Sequence, residues 1–408
     1  MNGWSGLVTM LSGSIYAART DKYWSKKAPK EPFAAPPAPQ PPRSERIGGL
    51  AEPHPVRYSA AEATMLDLLG TPRDPLSRHL ASLGIPTSHT GRLLRGLHRE
   101  GLPLDALHEV GRHRDALRRA GLVEHSAEVK QAVVTDDGTH KLLLALQDGA
   151  RVECVLVPMA DGRATLCLST QVGCAMACTF CATGTLGLAR HLAAGEIIAQ
   201  VRAARRHAAS TGRTITRLVF MGMGEPLHNY DATADALRVL LDDYGYGYGA
   251  RQITVSTVGL LSKLQRFHRD FGGRVQLALS LHAGTDATRE RIVPAARSAP
   301  LASLKEALLT APRPANRKLM LEYVVLPGVN TTPAELDGLA RFTEGLPAVV
   351  NLIPFNPFPG APFRSPTVTE VHAVQDGLRQ RNTFATVRWP KGRSTASACG
   401  QLVAGASA

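Results

Sequence analysis

Cysteine is scarce in this chain: there are six in 408 residues, and three of them fall inside one eight-residue stretch. Thiols this few and this unevenly spread exclude a disulfide-stapled secreted scaffold and point to a reducing compartment. No run of about 20 apolar residues is present that could span a bilayer. The opening Met1-Asn-Gly-Trp-Ser-Gly-Leu7 lacks the basic region that begins a signal peptide, so the expected location is the cytoplasm, with no membrane partner. Acidic residues are also in deficit, 34 Asp and Glu against 47 Lys and Arg, which leaves a formal charge of +13. A surplus of that sign favours a polyanionic partner, most often nucleic acid. The bland alternative is coding bias toward Ala, Arg and Pro. With 44% hydrophobic residues the chain has enough to bury a large core, with one large domain and a smaller one attached.

The three clustered thiols lie in Gln171-Val-Gly-Cys174-Ala-Met-Ala-Cys178-Thr-Phe-Cys181-Ala-Thr-Gly184. Gaps of three and then two residues let the sulfurs of one short loop converge, which suits soft iron or zinc better than a disulfide between near neighbours. A structural zinc takes four protein ligands, and no fourth Cys or His stands nearby at finger-like spacing. A four-iron cluster on three thiolates leaves one iron open to a substrate or cofactor. Phe180 supplies an apolar wall beside it. Zinc and buried unliganded thiols remain alternatives at this point. The spacing itself resembles the radical S-adenosylmethionine (SAM) superfamily.

In chain order, residues 1–57 read as an extension with no fold of its own, because Ala34-Ala-Pro-Pro-Ala-Pro-Gln-Pro-Pro42 favours extended, solvated backbone. Residues 58–125 carry helix-like apolar spacing (Ala63, Met65, Leu66, Leu68, Leu69) in segments running to Val123. Their polar faces are basic, with Arg92, Arg95, His98, Arg99, Arg112, His113, Arg114, Arg118 and Arg119. Few acids interleave, so a phosphate-facing surface is favoured over an ordinary solvated helix face. Residues 126–165 read as β-hairpins with turns at Asp137-Gly138 and Asp148-Gly149.

From residue 166 to 408, strands and helices alternate. Strands are predicted at Leu166–Thr170, Leu218–Met221, Ile253–Ser256, Val275–Leu281, Leu319–Val325 and Val350–Ile353. Helices are predicted at Gly195–Ala208, Asp231–Leu241, Leu260–His268, Leu301–Leu309 and Pro333–Gly345. Six βα units in series make an α/β fold, a parallel sheet curled into a partial (βα)6 barrel with function at the C-terminal strand ends. Polar residues fall at those ends: Gly224 and Glu225 after the second strand, Ser256 after the third, Ser280, Leu281 and His282 after the fourth, and Asn356 after the sixth. Together they can cup a zwitterionic nucleoside, although Gly-Glu-Pro alone is usually a turn and His282 alone would be a core histidine.

Two further thiols, Cys167 and Cys399, sit in RATLCLSTQVGC and ACGQL. With FMGMGEPLHN, TVSTVG, SLH and NLIPFNPFPGAP these motifs resemble, in order, the radical SAM RNA adenine methyltransferases of the RlmN/Cfr type, from about residue 60 to 404. The resemblance implies a small N-terminal helical RNA-binding domain before the barrel. It implies a [4Fe-4S] cluster on Cys174, Cys178 and Cys181, and two SAM molecules per turnover. It assigns SAM contacts to Gly224, Glu225, Ser256, Ser280, Leu281, His282 and Asn356. Cys399 would carry the methyl group, Cys167 would release the product by pairing with Cys399 in a disulfide, and Glu153 would accept the proton. The implied substrate is large-subunit 23S rRNA, with tRNA as a second candidate, and the implied product is adenine methylated at C2. C8 methylation of the resistance type, and a non-catalytic iron-sulfur RNA-binding protein, are the alternatives. A flavodoxin or ferredoxin donor and a monomeric state complete the expectation. Cys154 has no role in this scheme and reads as a small buried hydrophobe. The chain departs from the family in its loop before Cys399, Lys391-Gly-Arg-Ser-Thr-Ala-Ser397, which lacks the usual Asp residues.

Overall fold

A computed structural model describes residues 66–404 apart from 108–110, 112, 120, 314–315 and 393–395. The Pro-rich extension, the predicted helix start from Ser59 to Met65, Arg112 and the side chain of Arg118 lie outside the described residues. Leu66 to Leu69, whose spacing reads as helix, form a turn instead. The Asp67 carboxylate accepts from Leu69 N at 3.1 Å and Gly70 N at 3.0 Å. A short acidic side chain competing for local amides in this way disfavours helix. Helix begins only at α1 (Arg73–Ser82), followed by α2 (Thr90–Leu94), which continues as a π-turn over Arg95–Arg99, and then α3 (Arg114–Arg119). Of the basic side chains, Arg92, Arg95, Arg99 and Arg119 are exposed. His98 is not among them. It is buried against the Tyr246 ring, centroids 5.3 Å apart, and burial with Arg202 and Arg205 alongside lowers its pKa to about 3.

Next come three antiparallel strands, β1 (Ala127–Val134), β2 (His140–Leu146) and β3 (Arg151–Pro158), with left-handed glycines at both predicted turns, Gly138 at φ 74° and Gly149 at φ 82°. They are not a separate layer. β3 pairs with β4 (Arg163–Cys167), so the hairpins form one edge of a ten-stranded sheet. A small ribbon of β5 (Gln171–Gly173) and β6 (Leu188–His191) brackets the short α4 (Ala182–Thr185). Then follow α5 (Ala194–Ser210), β7 (Thr214–Phe220), α6 (Tyr230–Leu241), β8 (Ile253–Thr257), α7 (Leu261–Phe271), β9 (Gln276–Ser280), α8 (Asp286–Ile292) and α9 (Leu301–Leu309). The chain ends in β10 (Leu319–Val325), α10 (Pro333–Thr343), β11 (Ala348–Pro354), α11 (Val368–Gln380) and β12 (Ala385–Val387).

Strands β4 and β7 to β12 run parallel in sequence order, each βα unit adding the next strand at the same edge. All six predicted strands are present. The first starts and ends three residues early, because Ser169 N turns aside to Gln200 Oε1 at 3.0 Å and Ser169 Oγ donates to Glu153 O at 2.6 Å. Unpredicted are α4, α8, α11, the β5–β6 ribbon and the three-residue β12; the side chains of β12 are all half-exposed and carry no apolar periodicity. The parallel strands are apolar on both faces because helices cover one and the barrel interior occupies the other. Among the described residues no helix is long and apolar enough to cross a membrane.

The strand-end loops are tied by one buried cation. Arg289, fully buried on α8, donates to Leu281 O at 3.2 Å, Ala299 O at 3.0 Å and Val258 O at 2.5 Å, so one guanidinium holds the chain leaving β8 to the chain leaving β9. Burial lowers its pKa to about 10, still cationic at neutral pH. Removing it leaves three carbonyls without their donor and a cavity behind them. Arg289→Ala should therefore destabilise the fold by more than about 3 kcal/mol, read as a lower urea midpoint with an unchanged slope.

Candidate active site

The cysteine loop is shaped by its backbone. Gly173 has φ 77°, and a Cβ there would stand 1.9 Å from Gly187 O, so only glycine lets the β5–β6 ribbon close. Cys174 N then donates to Gly187 O at 2.7 Å, Cys181 N to Cys178 O at 3.1 Å and Gly184 N to Cys181 O at 3.0 Å. These bonds turn all three thiols into one cavity at the C-terminal ends of the parallel strands, where Phe180 lines the same wall. Burial raises all three thiol pKa values, that of Cys174 to about 12. Among the described residues no three Cys, His, Asp or Glu side chains converge as ligands of one ion. A closed mononuclear zinc site takes four protein ligands, and only three thiols line this cavity. A four-iron cluster takes each thiolate on a different iron, and three soft thiols around one cavity are a donor set that fits it, with the fourth iron left open.

Around the cavity the strand ends supply polar groups. Gly224, at φ 98°, brings Glu225 onto Gln171, since a Cβ would meet Gln171 Cβ at 2.6 Å. Glu225 N donates to Gln171 Oε1 at 2.8 Å, and the Glu225 carboxylate accepts from Leu227 N and Val258 N, both at 3.0 Å. Burial nonetheless pushes its pKa up to about 7. Ser256 and Ser280, on adjacent strand ends, share a hydrogen bond of 3.1 Å. His282, at φ 60°, accepts from Val324 N at Nδ1, 3.1 Å, which leaves the ring hydrogen on Nε2 as a donor. Burial, with Arg289 nearby, lowers its pKa to about 3, and its ring meets that of Phe180 edge-on at 4.7 Å. Asn356 Nδ2 donates to Cys399 O at 3.2 Å, while its Oδ1 is buried without a partner. An orphaned acceptor of this kind in a cavity fits a ligand that donates. Leu281 differs from its neighbours: its side chain is fully buried and does not line the cavity.

The C-terminal segment closes the mouth. Gly400 O accepts from Ala182 N at 2.7 Å, Leu402 O from Thr183 Oγ1 at 2.7 Å and Pro357 O from Gln401 Nε2 at 2.8 Å. Cys399, exposed, therefore sits on the cavity rim. Cys167, at the end of β4, is buried enough that its thiol pKa rises to about 12, with Cys399 and Arg388 as charge neighbours. All six cysteines are free, so the Cys167–Cys399 disulfide implied by the sequence resemblance is not formed here. Cys154 is fully buried on the opposite face of β3 from Glu153, since successive strand residues alternate faces. Glu153 does not line the cavity. Its carboxylate accepts from Val403 N at 2.9 Å and pairs with Lys141 Nζ at 3.2 Å, anchoring the returning segment. In the loop before Cys399, Gly392 N donates to Asp137 Oδ2 at 2.9 Å, so an acid from the β1–β2 turn sits against a loop that lacks its own.

Sequence reasoning missed Glu322 and Arg388, both lining the cavity. The signal for Glu322 was a lone acid inside the apolar strand Leu-Met-Leu-Glu-Tyr-Val-Val, a place where a charge is costly unless used. Arg388, in Thr-Val-Arg-Trp-Pro, offered no signal.

A parallel partial barrel with three cysteines on the loop after its first strand defines a radical SAM enzyme, and residues 168–339 match the radical SAM superfamily model. The chain is 43% identical over 351 residues to the dual-specificity RNA methyltransferase RlmN of Anaeromyxobacter dehalogenans, covering 83% of this chain and 92% of that protein. It is 44% identical over 275 residues to RlmN of Magnetococcus marinus, covering 67% and 76%. A crystal structure of a radical SAM methyltransferase from Sphaerobacter thermophilus superposes with a TM-score of 0.74 at 40% identity, covering 83% of this chain and 99% of that one. The chain belongs to the RlmN/Cfr-type family of radical SAM RNA methyltransferases.

Two measurements follow from the site. Cys178→Ala should lose the iron that the reconstituted wild type holds, about four atoms per chain, as read by metal analysis. The second concerns Glu225, whose raised pKa leaves it protonated below about pH 7. An ammonium-bearing ligand needs the carboxylate, so SAM affinity should fall with decreasing pH below about 7, by at most about tenfold per pH unit. Equilibrium dialysis between about pH 6 and 8 reads this, and Glu225→Gln should flatten the profile.

Proposed function

We propose that this protein methylates a ring carbon of an adenine in large-subunit 23S rRNA, C2 being the favoured position, with tRNA as a second substrate. The observation that carries the reading is the placement of Cys399 on the rim of the cavity that Cys174, Cys178 and Cys181 line, with Cys167, at the end of β4, among its charge neighbours. An adenine C–H carbon has no lone pair to attack an ordinary methyl donor, so a thiol that can carry a methyl group to the base is the component such chemistry requires. When bound, the [4Fe-4S] cluster and two SAM molecules per turnover would supply the radical and the methyl group, with electrons from a flavodoxin- or ferredoxin-class donor.

The chain's own residues have separable tasks. Cys174, Cys178 and Cys181 would hold the cluster. Glu225 would accept from the SAM ammonium, Ser256 and Ser280 would meet its hydroxyls, His282 Nε2–H would donate, and Asn356 Oδ1 would accept. Phe180, Val258, Val324 and Phe355 keep that end dry, which protects a radical from side reactions. Cys399 would carry the methyl group, and Cys167 would be the second thiol that frees the product. Glu153 is the proposed proton acceptor, a role it shares with anchoring Val403. The exposed arginines of the helical segment would track phosphates.

Mass spectrometry of ribosomal RNA from cells with and without the protein tests the position. 2-Methyladenosine is expected, and 8-methyladenosine would make it a C8 enzyme of the resistance type. The thiol assignment is tested by what each variant accumulates. Cys399→Ala should carry no methyl group and form no RNA adduct. Cys167→Ala should copurify with RNA joined through Cys399, stable to denaturing gels and released by ribonuclease. An adduct on Cys399→Ala would reverse the two roles.

A further inference from the structure

Two charged side chains in the cavity have no task in the scheme above. Glu322 stands in the middle of β10, in register with Ser280 on β9 and Asn351 on β11, and is 3% exposed. Asn351 Nδ2 donates to Glu322 Oε2 at 2.9 Å, and Thr386 Oγ1 donates to Asn351 Oδ1 at 3.3 Å, which fixes the amide with its NH2 toward the carboxylate. Glu322 Oε1 is buried without a partner. Arg388 lies just past β12, its N donating to Leu352 O at 2.8 Å, and its guanidinium reaches Met221 Sδ at 3.7 Å. Cys399 is its strongest charge neighbour, followed by Glu322 and Cys167.

Among the described residues no ion pair joins Arg388 to Glu322, although both line one cavity. A buried carboxylate oxygen with no donor is costly, and Arg388, half-buried on the same cavity, has only a thioether sulfur as its hydrogen-bond acceptor. A ligand that donates to one and accepts from the other satisfies both. Cys399 lines the same cavity, so a ligand held by Glu322 and Arg388 lies in the space that thiol faces. We propose that Glu322 and Arg388 read the target base, Glu322 Oε1 accepting from the exocyclic amino group of adenine and Arg388 donating to an adjacent ring nitrogen. The inference rests on the adenine-methylating reading above. Guanine and inosine present an oxygen where adenine presents the amino group, so two acceptors would face each other at Glu322 and the base would be rejected.

The test uses two synthetic RNA stem-loops spanning the methylated site, identical except that the target is adenosine or purine riboside, which lacks the amino group. Methylation rates are compared within each enzyme preparation, so any partial loss of folded protein cancels from the ratio. The wild type should prefer adenosine by on the order of tenfold or more. Glu322→Met should bring the ratio close to one, and Glu322→Gln, which keeps one acceptor oxygen, should lie between. Arg388→Met should slow both RNAs alike, because both bases retain the ring nitrogen. Where Glu322→Met turns over too slowly for rates, competition binding of the two stem-loops supplies the same ratio. SAM affinity by equilibrium dialysis is measured in parallel. An undiminished adenosine preference in Glu322→Met overturns the proposal, and so does a loss of SAM affinity in its place, which would give the carboxylate to the cofactor. A wild type that cleaves SAM yet methylates neither RNA defeats the functional reading itself, and the base-reading assignment falls with it.

Discussion

The return of the C-terminal segment onto the cysteine loop is the contact on which the rest of the site depends. The returning backbone is held at three points: Gly400 O by Ala182 N, Leu402 O by the Thr183 hydroxyl and Val403 N by the Glu153 carboxylate, on elements more than two hundred residues earlier. Gly400, at φ 82°, lies against Phe180 O, and Cys399 beside it stands on the cavity rim. Three separate anchors, Thr183, Glu153 and Asn356, share the task, and two of them, Thr183 and Asn356, also line the cavity. A group that both holds the mouth and faces the reaction couples closure of the site to its competence.

Closure also requires that the strand ends do not drift. Loops at the top of a parallel sheet have no ladder to hold them, and here Arg289 substitutes for one by bonding three carbonyls from two successive crossings. Buried, hydrogen-bonded arginine is costly to install but stiff once satisfied. Its fork of donors suits carbonyls at divergent angles in a way a lysine ammonium would not. The same cation lies near Cys178 and His282, so the scaffold itself contributes positive potential where thiolates would be formed.

Much of this was legible in the residues. Alternating βα segments located six strands and five helices because buried parallel strands are apolar throughout and their covering helices keep a 3.6-residue period. Where a strand is short and half-exposed, as in β12, the pattern vanishes and the element was missed. Leu66 to Leu69 misled for a different reason, since Leu68 and Leu69 are buried as helical ones would be, but Asp67 spends its carboxylate on the local amides and on Gly195 N at 2.6 Å. His98 was read as surface because charge spacing says nothing of which face the next layer covers. At the site, the cysteines, Glu225, Ser256, Ser280, His282 and Asn356 announced themselves by lying at strand ends. Glu322 and Arg388 did not, because one sits mid-strand and the other lies past an element that was not foreseen.

The cavity holds more uncompensated polarity than a core would tolerate. Asn356 Oδ1 and Glu322 Oε1 lack donors, and burial raises the Glu225 carboxyl to about 7 although it accepts from two backbone amides. Each such group costs roughly 1–3 kcal/mol when left unsatisfied, and together they work against a fold whose net stability is of order 5–15 kcal/mol. Stability elsewhere must carry that cost, and Arg289 together with the ten-stranded sheet is where the structure places it. A ligand set that supplies a cation, several donors and a planar base would relieve these groups on binding. Part of the binding free energy of cofactor and substrate therefore comes from satisfying these few polar groups in a mainly apolar cavity, and replacing one of them by an apolar residue of like size should stabilise the chain while weakening the ligand it would meet.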